Sequence, residues 1–284
     1  MAIVKIQGAE HIYRLTPVTD APFTIVFLHG WLLSQVYWQP LIDHLRSQFQ
    51  CLAYDLRGFG QSQLGDRRQY NPLSYVHDLE EILDLLDIRK VWLVGHSLGG
   101  AIALWAASML SDRVLGVTCL NAGGGIYLKE EFEKFRKAGS LLLRLRPHWL
   151  PYLPTIAQQF ARDSVKFPLA RHWGQQRAID FVIAKYEAAQ GTLLDSTSEA
   201  EVHMLPQLVA KLAQPVYFFA GADDRIMEPQ YVRHLASFHY SFNDAGDNVF
   251  EIPNCGHMGM LEQTEQLGKM LLQQLPYNQK EQFS

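Results

Sequence analysis

Six short apolar runs, separated by helix-forming stretches, constrain the fold of this chain most strongly. The runs are residues 24–29, 51–55, 91–95, 114–121, 216–220 and 249–252. Continuous apolar strands are typical of a parallel sheet that helices cover on both faces, because neither face is left to solvent. The alternation therefore predicts an α/β, doubly wound, mostly parallel sheet. Residues 2–6 and 11–15 are spaced as an opening hairpin at one edge of it.

Two helices are predicted between these strands. Ser74 is typical of an N-cap, and the sequence after it repeats apolar side chains every three or four residues, with carboxylates between them. The apolar positions are Val76, Leu79, Leu83 and Leu86, and the carboxylates predicted to face solvent are Asp78, Glu81 and Asp84. A second, alanine-rich helix begins near Ser97.

The alternation breaks after Asn121. Residues 123–212 contain no convincing strand, have a helix-forming composition and are punctuated by prolines. Such a stretch is too long to be a plain loop inside a compact domain. We therefore predict a core domain of residues 1–122 and 213–284 and an inserted helical cap of residues 123–212. The cap is expected over the carboxyl ends of the strands, where open α/β folds bind ligands.

Charge and composition exclude several classes of protein. The chain has 25 Lys and Arg against 29 Asp and Glu, a net charge of −4, so it lacks the basic field that a nucleic-acid partner requires. No apolar run approaches the roughly 18–20 residues of a membrane span, and residues 1–7 do not resemble a signal peptide. The three cysteines form no CxxC pair. We expect a cytoplasmic protein without a disulfide framework, metal site or cofactor.

A G-x-S-x-G motif carries the chemistry. Gly95-His96-Ser97-Leu98-Gly99 directly follows a predicted strand and directly precedes the alanine-rich helix. A serine on such a tight strand-to-helix turn is held exposed at the edge of the sheet, with glycines where side chains would clash. This context predicts that Ser97 is a nucleophile and that the motif is more than a glycine-rich turn.

A serine hydroxyl needs a base to take its proton. His257 follows the last predicted strand, which returns its imidazole to the same edge of the sheet as Ser97. His96 is expected to pack beneath the turn, and His29 to make structural hydrogen bonds. Cys255 lies two residues before His257 and is a competing nucleophile, but a lone cysteine beside a histidine is usually a packing residue.

The base in turn needs an acid to orient it. Asp223 and Asp224 directly follow the predicted strand 216–220, which gives the chain order Ser, Asp, His. Asn121, at the end of the strand before the cap, occupies an alternative position but has no charge to stabilise an imidazolium. We favour Asp224 and expect Asp223 to be an exposed turn former, although the residues by themselves separate the two weakly.

An oxyanion intermediate needs two preorganised backbone N–H donors. Leu98, the residue after the nucleophile, is predicted to supply one. Trp31 is predicted to supply the other, because Gly30 lets the chain turn after its strand. The Trp31 indole is either a core side chain or a pocket wall, and the sequence leaves both open.

Five segments together resemble the α/β-hydrolase superfamily. They are His29-Gly30-Trp31, Asp55-Leu56-Arg57-Gly58-Phe59-Gly60-Gln61-Ser62, Gly95-His96-Ser97-Leu98-Gly99-Gly100, Gly221-Ala222-Asp223-Asp224 and Cys255-Gly256-His257. Within it, they resemble the branch of haloperoxidase-like esterases, epoxide hydrolases, dehalogenases and C–C bond hydrolases. The G-x-x-D pattern of that branch implies Asp224 as the acid. Dehalogenases and epoxide hydrolases of this fold carry an aspartate nucleophile, so Ser97 argues against both.

The resemblance implies a serine hydrolase, foremost a carboxylic-ester hydrolase that forms an acyl-enzyme on Ser97. Three alternatives on the same fold stay open: a C–C bond hydrolase, a cofactor-free oxygenase or lyase that uses the His–Asp pair, and a slow-turnover ligand receptor. Residues 129–154 interleave leucines and aromatic residues with Lys and Arg. They predict either a helix with a solvated basic face or a surface that adheres to a membrane. Under either account the apolar cap favours a small-molecule substrate with a bulky hydrophobic acyl or alcohol group over a small charged one.

Overall fold

A computed structural model describes residues 1–122, 129–243 and 246–276. Within these residues eight strands form one sheet in the order β1-β2-β4-β3-β5-β6-β7-β8. The strands are β1 (Ala2–Ile6), β2 (Ala9–Leu15), β3 (Thr24–Leu28), β4 (Gln50–Tyr54), β5 (Val91–His96), β6 (Val114–Leu120), β7 (Val216–Gly221) and β8 (Val249–Ile252). The β1–β2 and β2–β4 pairs are antiparallel and the other pairs are parallel. The predicted mostly parallel sheet with an opening hairpin is confirmed.

Helices connect and cover these strands. They are α1 (Gln39–Leu45), α2 (Pro72–Leu85), α3 (Leu98–Met109), α4 (Lys129–Arg144), α5 (Pro154–Phe160), α6 (Arg171–Ile183), α7 (Tyr186–Ser196), α8 (Glu199–Val209), α9 (Pro229–Ala236), α10 (Gly259–Glu262) and α11 (Thr264–Gln274). Short 3₁₀ helices lie at Gln35–Trp38 and Leu150–Tyr152. The sequence did not predict α1 and α9, which span only seven and eight residues.

The continuous apolar strands are buried on both faces, as a doubly wound sheet requires. Along β3, Val26 packs in one apolar cluster with side chains of α2, α3 and α9. Its neighbours Ile25 and Phe27 point to the opposite face and pack with side chains of α1 and α11. Successive strand side chains alternate between faces, so a strand covered twice has to be apolar throughout.

The start of α2 differs from the prediction. The N-cap is Asn71, whose Oδ1 accepts a hydrogen bond from the Ser74 backbone N–H at 2.8 Å. Pro72 is the first helical residue, where its missing N–H costs nothing and its fixed φ suits a helix. The prediction that Ser74 caps this helix was therefore wrong, because the apolar repeat begins one turn after the helix does.

Asp78 of α2 is buried, which contradicts the prediction that it faces solvent. Its Oδ2 lies 2.8 Å from Nε of the fully buried Arg57, and its Oδ1 lies 3.2 Å from Nη1 of Arg67. The remaining Arg57 donors reach the backbone carbonyls of Arg67 and Gln69. Arg57 enters from the loop after β4, so it meets α2 only in the folded chain.

Between β6 and β7 the described residues form the helices α4–α8 and no strand. Residues 123–128 of the predicted cap lie outside the described residues, and the division into core and cap domains remains a prediction. No helix in the described part of the chain is long and apolar enough to cross a membrane.

Candidate active site

Ser97 lies on a strained turn between β5 and α3. Its φ of 51° and ψ of −117° are rarely adopted by a residue with a side chain, and such strain persists only where the surroundings enforce it. A Cβ atom on Gly95 would collide with the Gly99 carbonyl oxygen, and one on Gly99 would collide with the Leu28 carbonyl oxygen. The two motif glycines therefore allow the turn that holds Ser97 at the carboxyl end of the sheet.

His257 and Asp224 form a hydrogen-bonded pair. His257 Nδ1 lies 2.8 Å from Asp224 Oδ2. Because a carboxylate only accepts, Nδ1 carries a proton, and in the neutral form of the imidazole the lone pair is therefore on Nε2. Asp223 instead pairs with Lys166 Nζ at 2.6 Å and is partly exposed. Of the two candidate acids, the structure brings Asp224 to His257.

The Asp224 carboxylate is held by donors on both oxygens. Its Oδ1 accepts from the backbone amides of Ile226 and Met227 at 2.8 and 3.0 Å, and its Oδ2 also accepts from Asn121 Nδ2 at 2.8 Å. Burial raises the pKa of Asp224, but His257 and these hydrogen bonds outweigh burial and hold the pKa below its ordinary value. The acid is thus kept ionised, as the orientation of an imidazole requires.

Asn121 is a site residue whose role the sequence reasoning missed. It directly follows β6 with a φ of 48°, and its Nδ2 donates to the Gly256 carbonyl at 3.1 Å as well as to Asp224. Because Asn121 is uncharged, the sequence predicts no role for it as the acid. The sequence signal for this role is that an amide donor follows β6, the strand next to β7, after which Asp224 lies. Asn121 is therefore a positioning residue for Asp224.

We expect Asn121→Gly to lower the free energy of unfolding by about 2 kcal/mol, because a charged acceptor loses a donor. Glycine adopts a positive φ freely, so the backbone stays unstrained and the loss reports on the side chain. We also expect kcat/KM to fall about tenfold, since Asp224 is held less firmly. Urea unfolding and ester kinetics measure the two effects. Unchanged values for both would contradict this role.

His96 lies under the turn, as expected. Its Nε2 donates to the His257 carbonyl oxygen at 2.7 Å. Burial, helped by the nearby His257, lowers the pKa of His96 to about 3, so the ring is neutral. His29 is likewise buried, and its Nε2 accepts from the Leu56 amide at 2.9 Å. Both histidines hold loops that carry the candidate site.

Glu262 organises the His257 loop and was also missed. Its carboxylate accepts from the backbone amides of Gly256, Met258 and Lys166 at 2.9, 3.0 and 2.7 Å. Lys166 lies between α5 and α6, so this carboxylate joins the loop to the predicted cap. An acidic residue in a helix turn just after a glycine-containing loop is the sequence signal that points to it.

The two residues predicted to supply the oxyanion donors are Leu98 and Trp31, and both line the cavity that Ser97 lines. Leu98 is the first residue of α3, so its amide is one of the N–H groups that a helix leaves without an intrahelical acceptor. Trp31 follows β3, and both residues line the same cavity as Ser97. The Trp31 indole is a wall of that cavity and donates through Nε1 to the Ala189 carbonyl of α7 at 2.9 Å.

A cavity of about 420 Å³ joins these groups. Ser97, His257, Leu98 and Trp31 line it at the sheet edge. Its walls are largely apolar and include Leu104, Leu142, Phe160, Phe181, Leu193 and Leu205. Ser97 Oγ makes no hydrogen bond to another described residue, and bonds of this kind often tighten only when substrate is bound.

Cys255 does not compete with Ser97. It is fully buried, and burial raises the pKa of its thiol well above the ordinary value, which suppresses the nucleophilic thiolate. Its Sγ lies 3.5 Å from the Gly256 carbonyl oxygen. The described residues around the cavity do not include it.

A buried hydrogen bond links α6 to the loop after β3. Ser34 Oγ donates to Asp180 Oδ2 at 2.7 Å. Burial raises the pKa of Asp180 to about 7, although the Ser34 hydrogen bond opposes this. In the unfolded chain the group titrates near its ordinary value of 3.8, so the folded state binds the proton more tightly.

This difference predicts a pH-dependent stability. Asp180 contributes fully to the free energy of unfolding below the pKa that it has in the unfolded chain. This contribution is lost as the pH rises towards the pKa of about 7 that Asp180 has in the folded state. We expect Asp180→Asn to make the free energy of unfolding fall less between pH 4 and pH 7 than it does in the wild type. Urea unfolding across that range measures it, with the exposed Asp20→Asn as control. Parallel curves for wild type and Asp180→Asn would contradict the assignment.

A mostly parallel sheet with a serine on a strained strand-to-helix turn and a His–Asp pair at the same edge defines the α/β-hydrolase fold. Residues 24–188 match the family model for the alpha/beta hydrolase fold, and the chain belongs to that family. The resemblance to the α/β-hydrolase superfamily that the sequence motifs indicated is therefore confirmed.

Known relatives cover different shares of the chain. The 3-oxoadipate enol-lactonase 1 of Acinetobacter baylyi is 31% identical over 128 residues, 45% of this chain and 47% of the lactonase, so the match spans about half of that relative. The bifunctional esterase/perhydrolase DCH of Acinetobacter calcoaceticus is 26% identical over 234 residues, 78% of this chain and 81% of the relative. A thermophilic esterase from Thermogutta terrifontis superposes with a TM-score of 0.76 over 96% of this chain and 97% of the esterase. Its 20% sequence identity shows a shared fold.

Proposed function

We propose that this protein is a serine hydrolase that cleaves a hydrophobic carboxylic ester through an acyl-enzyme. The observation that carries the proposal is that Ser97, on its strained turn, shares one apolar cavity with His257, which is paired to Asp224. An esterase/perhydrolase and an enol-lactonase among the relatives support cleavage of an ester bond.

In the proposed reaction Ser97 Oγ attacks the ester carbonyl carbon while His257 Nε2 takes the hydroxyl proton. The negative charge that develops on the carbonyl oxygen accepts hydrogen bonds from the amides of Leu98 and Trp31. His257 then passes the proton to the departing alcohol, and Asp224 stabilises the imidazolium in the meantime. His257 Nε2 next takes a proton from a water molecule that attacks the acyl carbon, and it returns this proton to Ser97 Oγ as the acyl–Oγ bond breaks and the carboxylic acid leaves.

The walls of the cavity favour a hydrophobic substrate. Leucine and phenylalanine side chains from α4, α5, α6, α7 and α8 surround the space next to Ser97. An aliphatic or aromatic group placed among them would gain from burial, whereas a charged group there would lose its hydration and would have to reach the charged residues elsewhere on the wall, such as Arg177 or Glu201, to gain a partner. A cavity of about 420 Å³ has room for such a group.

A series of acetyl, hexanoyl and larger aromatic esters tests the proposal. We expect kcat/KM to rise with acyl size and to vanish in Ser97→Ala. A fluorophosphonate should label the wild type and leave Ser97→Ala unlabelled. Labelling of Cys255 in place of Ser97 would show that Ser97 is not the nucleophile. A kcat/KM that is tenfold higher for an acetyl or charged ester than for the larger esters would contradict the preference for hydrophobic substrates. Labelling of Ser97 without ester turnover would favour C–C bond cleavage or a ligand receptor.

A further inference from the structure

An unusual apolar surface lies at the end of α4 and in the chain that follows it. Six large side chains there are between 40% and 80% exposed, and one of them is Leu142. The other five, called the α4 surface below, are Leu141, Leu145, Trp149, Tyr152 and Leu153. Single exposed apolar side chains are common, but a cluster of this kind marks a site of interaction.

The α4 surface is an ordered feature. Leu141 and Leu145 are four residues apart, and the Leu145 amide donates to the Leu142 carbonyl at 3.1 Å, which continues the turn of α4. The Tyr152 amide donates to the Trp149 carbonyl at 3.1 Å, and side chains three residues apart in a 3₁₀ turn project from the same side.

Arg146 anchors this segment to α6. Its Nη1 donates to the carbonyl oxygens of Phe181 and Ala184 at 2.9 and 3.0 Å, and its Nε donates to the Leu143 carbonyl at 2.8 Å. Leu143, between the exposed leucines, is buried. The protein thus holds one leucine inward and its neighbours outward on a fixed backbone.

The chain segment that carries the α4 surface has charges of one sign only. Residues 136–162 contain five Lys and Arg and no Asp or Glu, although the whole chain has a net charge of −4. Arg144 lies between the exposed leucines and is itself exposed. Aromatic and aliphatic side chains beside basic residues match the interface of an anionic bilayer, where the apolar groups enter the acyl boundary and the cations meet phosphate.

The α4 surface is also continuous with the cavity. Leu142 is about half exposed next to Leu141 and lines the same cavity as Ser97. Leu142 therefore belongs both to the exposed apolar end of α4 and to the wall of the cavity that holds Ser97. We propose that the α4 surface docks on an anionic phospholipid bilayer, so that a hydrophobic substrate passes from the lipid into the cavity beside Leu142.

A second copy of the chain fits this surface less well. A two-fold interface places the same patch on both subunits, so it would bring Arg144 and its basic neighbours face to face. An anionic bilayer instead supplies the opposite charge. Docking is independent of turnover, and only the delivery of substrate rests on the proposed hydrolase function.

Co-sedimentation with vesicles tests the docking. Vesicles of equal parts phosphatidylcholine and phosphatidylglycerol should pellet the protein at low salt, and pure phosphatidylcholine should bind it much less. We expect Leu145→Ser with Trp149→Ser to weaken binding to the mixed vesicles about tenfold or more, and Arg144→Glu about fivefold or more. The matched controls are Leu85→Ser and Arg68→Glu. Leu85 is an exposed leucine at the end of α2, and Arg68 is an exposed arginine in the loop between β4 and α2.

Three outcomes overturn the proposal. They are no binding of wild type to the mixed vesicles, equal loss in the α4 variants and the controls, and a wild-type dimer that Leu145→Ser with Trp149→Ser converts to monomer. The last result would show that a second copy covers the surface. Because sedimentation does not depend on turnover, failure of the ester assay with intact vesicle binding would reject the proposed function and leave docking standing. Hydrolysis of a water-soluble ester should be unchanged in Leu145→Ser with Trp149→Ser.

Discussion

Ser97→Ala, His257→Ala and Asp224→Asn are each expected to lower kcat/KM by roughly 10⁴-fold or more while the protein stays folded. The three side chains would act as one unit: the hydroxyl needs the imidazole, and the imidazole needs the carboxylate 2.8 Å from its Nδ1. A double variant should therefore lose little more activity than its worse single variant. Steady-state kinetics on the best ester, with circular dichroism to verify folding, measures the effect.

Asp223→Asn is the matched control for Asp224→Asn. The two residues are adjacent, but Asp223 pairs with Lys166 at the surface and does not touch His257. We expect Asp223→Asn to change kcat/KM by less than about tenfold, because a partly exposed ion pair contributes little. A larger loss in Asp223→Asn than in Asp224→Asn would show that the acid has been assigned to the wrong residue.

The largest expected effect on stability comes from Asp78→Ala. This change leaves the Arg57 guanidinium fully buried without its carboxylate partner at 2.8 Å, and removing one member of a buried pair costs about 3–5 kcal/mol. The backbone carbonyls that accept from the other Arg57 donors do not replace the lost charge. Urea unfolding followed by tryptophan fluorescence measures the free energy of unfolding.

Asp84→Ala on the same helix is the control. Asp84 pairs with Arg113, but its side chain is 64% exposed, so solvent screens the interaction and the expected loss is below about 1 kcal/mol. If Asp78→Ala does not fold, Asp78→Asn keeps the shape and one acceptor oxygen and allows the measurement. Equal small losses for Asp78→Asn, Asp78→Ala and Asp84→Ala would contradict the importance of the buried pair.

The inner strands of the parallel sheet were predictable because they are covered on both faces. Burial on both faces demands an unbroken apolar run, and such a run is visible in a linear sequence, as in Thr24–Leu28 and Val91–His96. The Ser97 turn was predictable for a related reason. Its glycines are required by contacts within the turn and with the adjacent strand, so motif and context occur together along the chain.

Partners that meet across the fold were not predictable in this way. The helical repeat of α2 placed Asp78 opposite the apolar side chains, and nothing local indicated that Arg57 would cover it. Asn121 and Glu262 carry no motif, and their roles depend on the Asp224 carboxylate and on the His257 loop. Hydrogen bonds between distant residues are set by packing, which a local pattern does not record.

By itself, therefore, the sequence determined the strands of the sheet, the helices α2 and α3 and the candidate nucleophile, because these follow from burial and backbone constraints that act over a few residues. The residues by themselves separated Asp223 and Asp224 weakly, and only the family resemblance favoured Asp224; the tertiary structure shows that Asp224 meets His257 while Asp223 pairs with Lys166. Exposure of the α4 surface was likewise a tertiary outcome. Whether an apolar segment is buried depends on which other elements pack against it. Leu145 and Trp149, which follow α4, stay exposed to solvent in the fold.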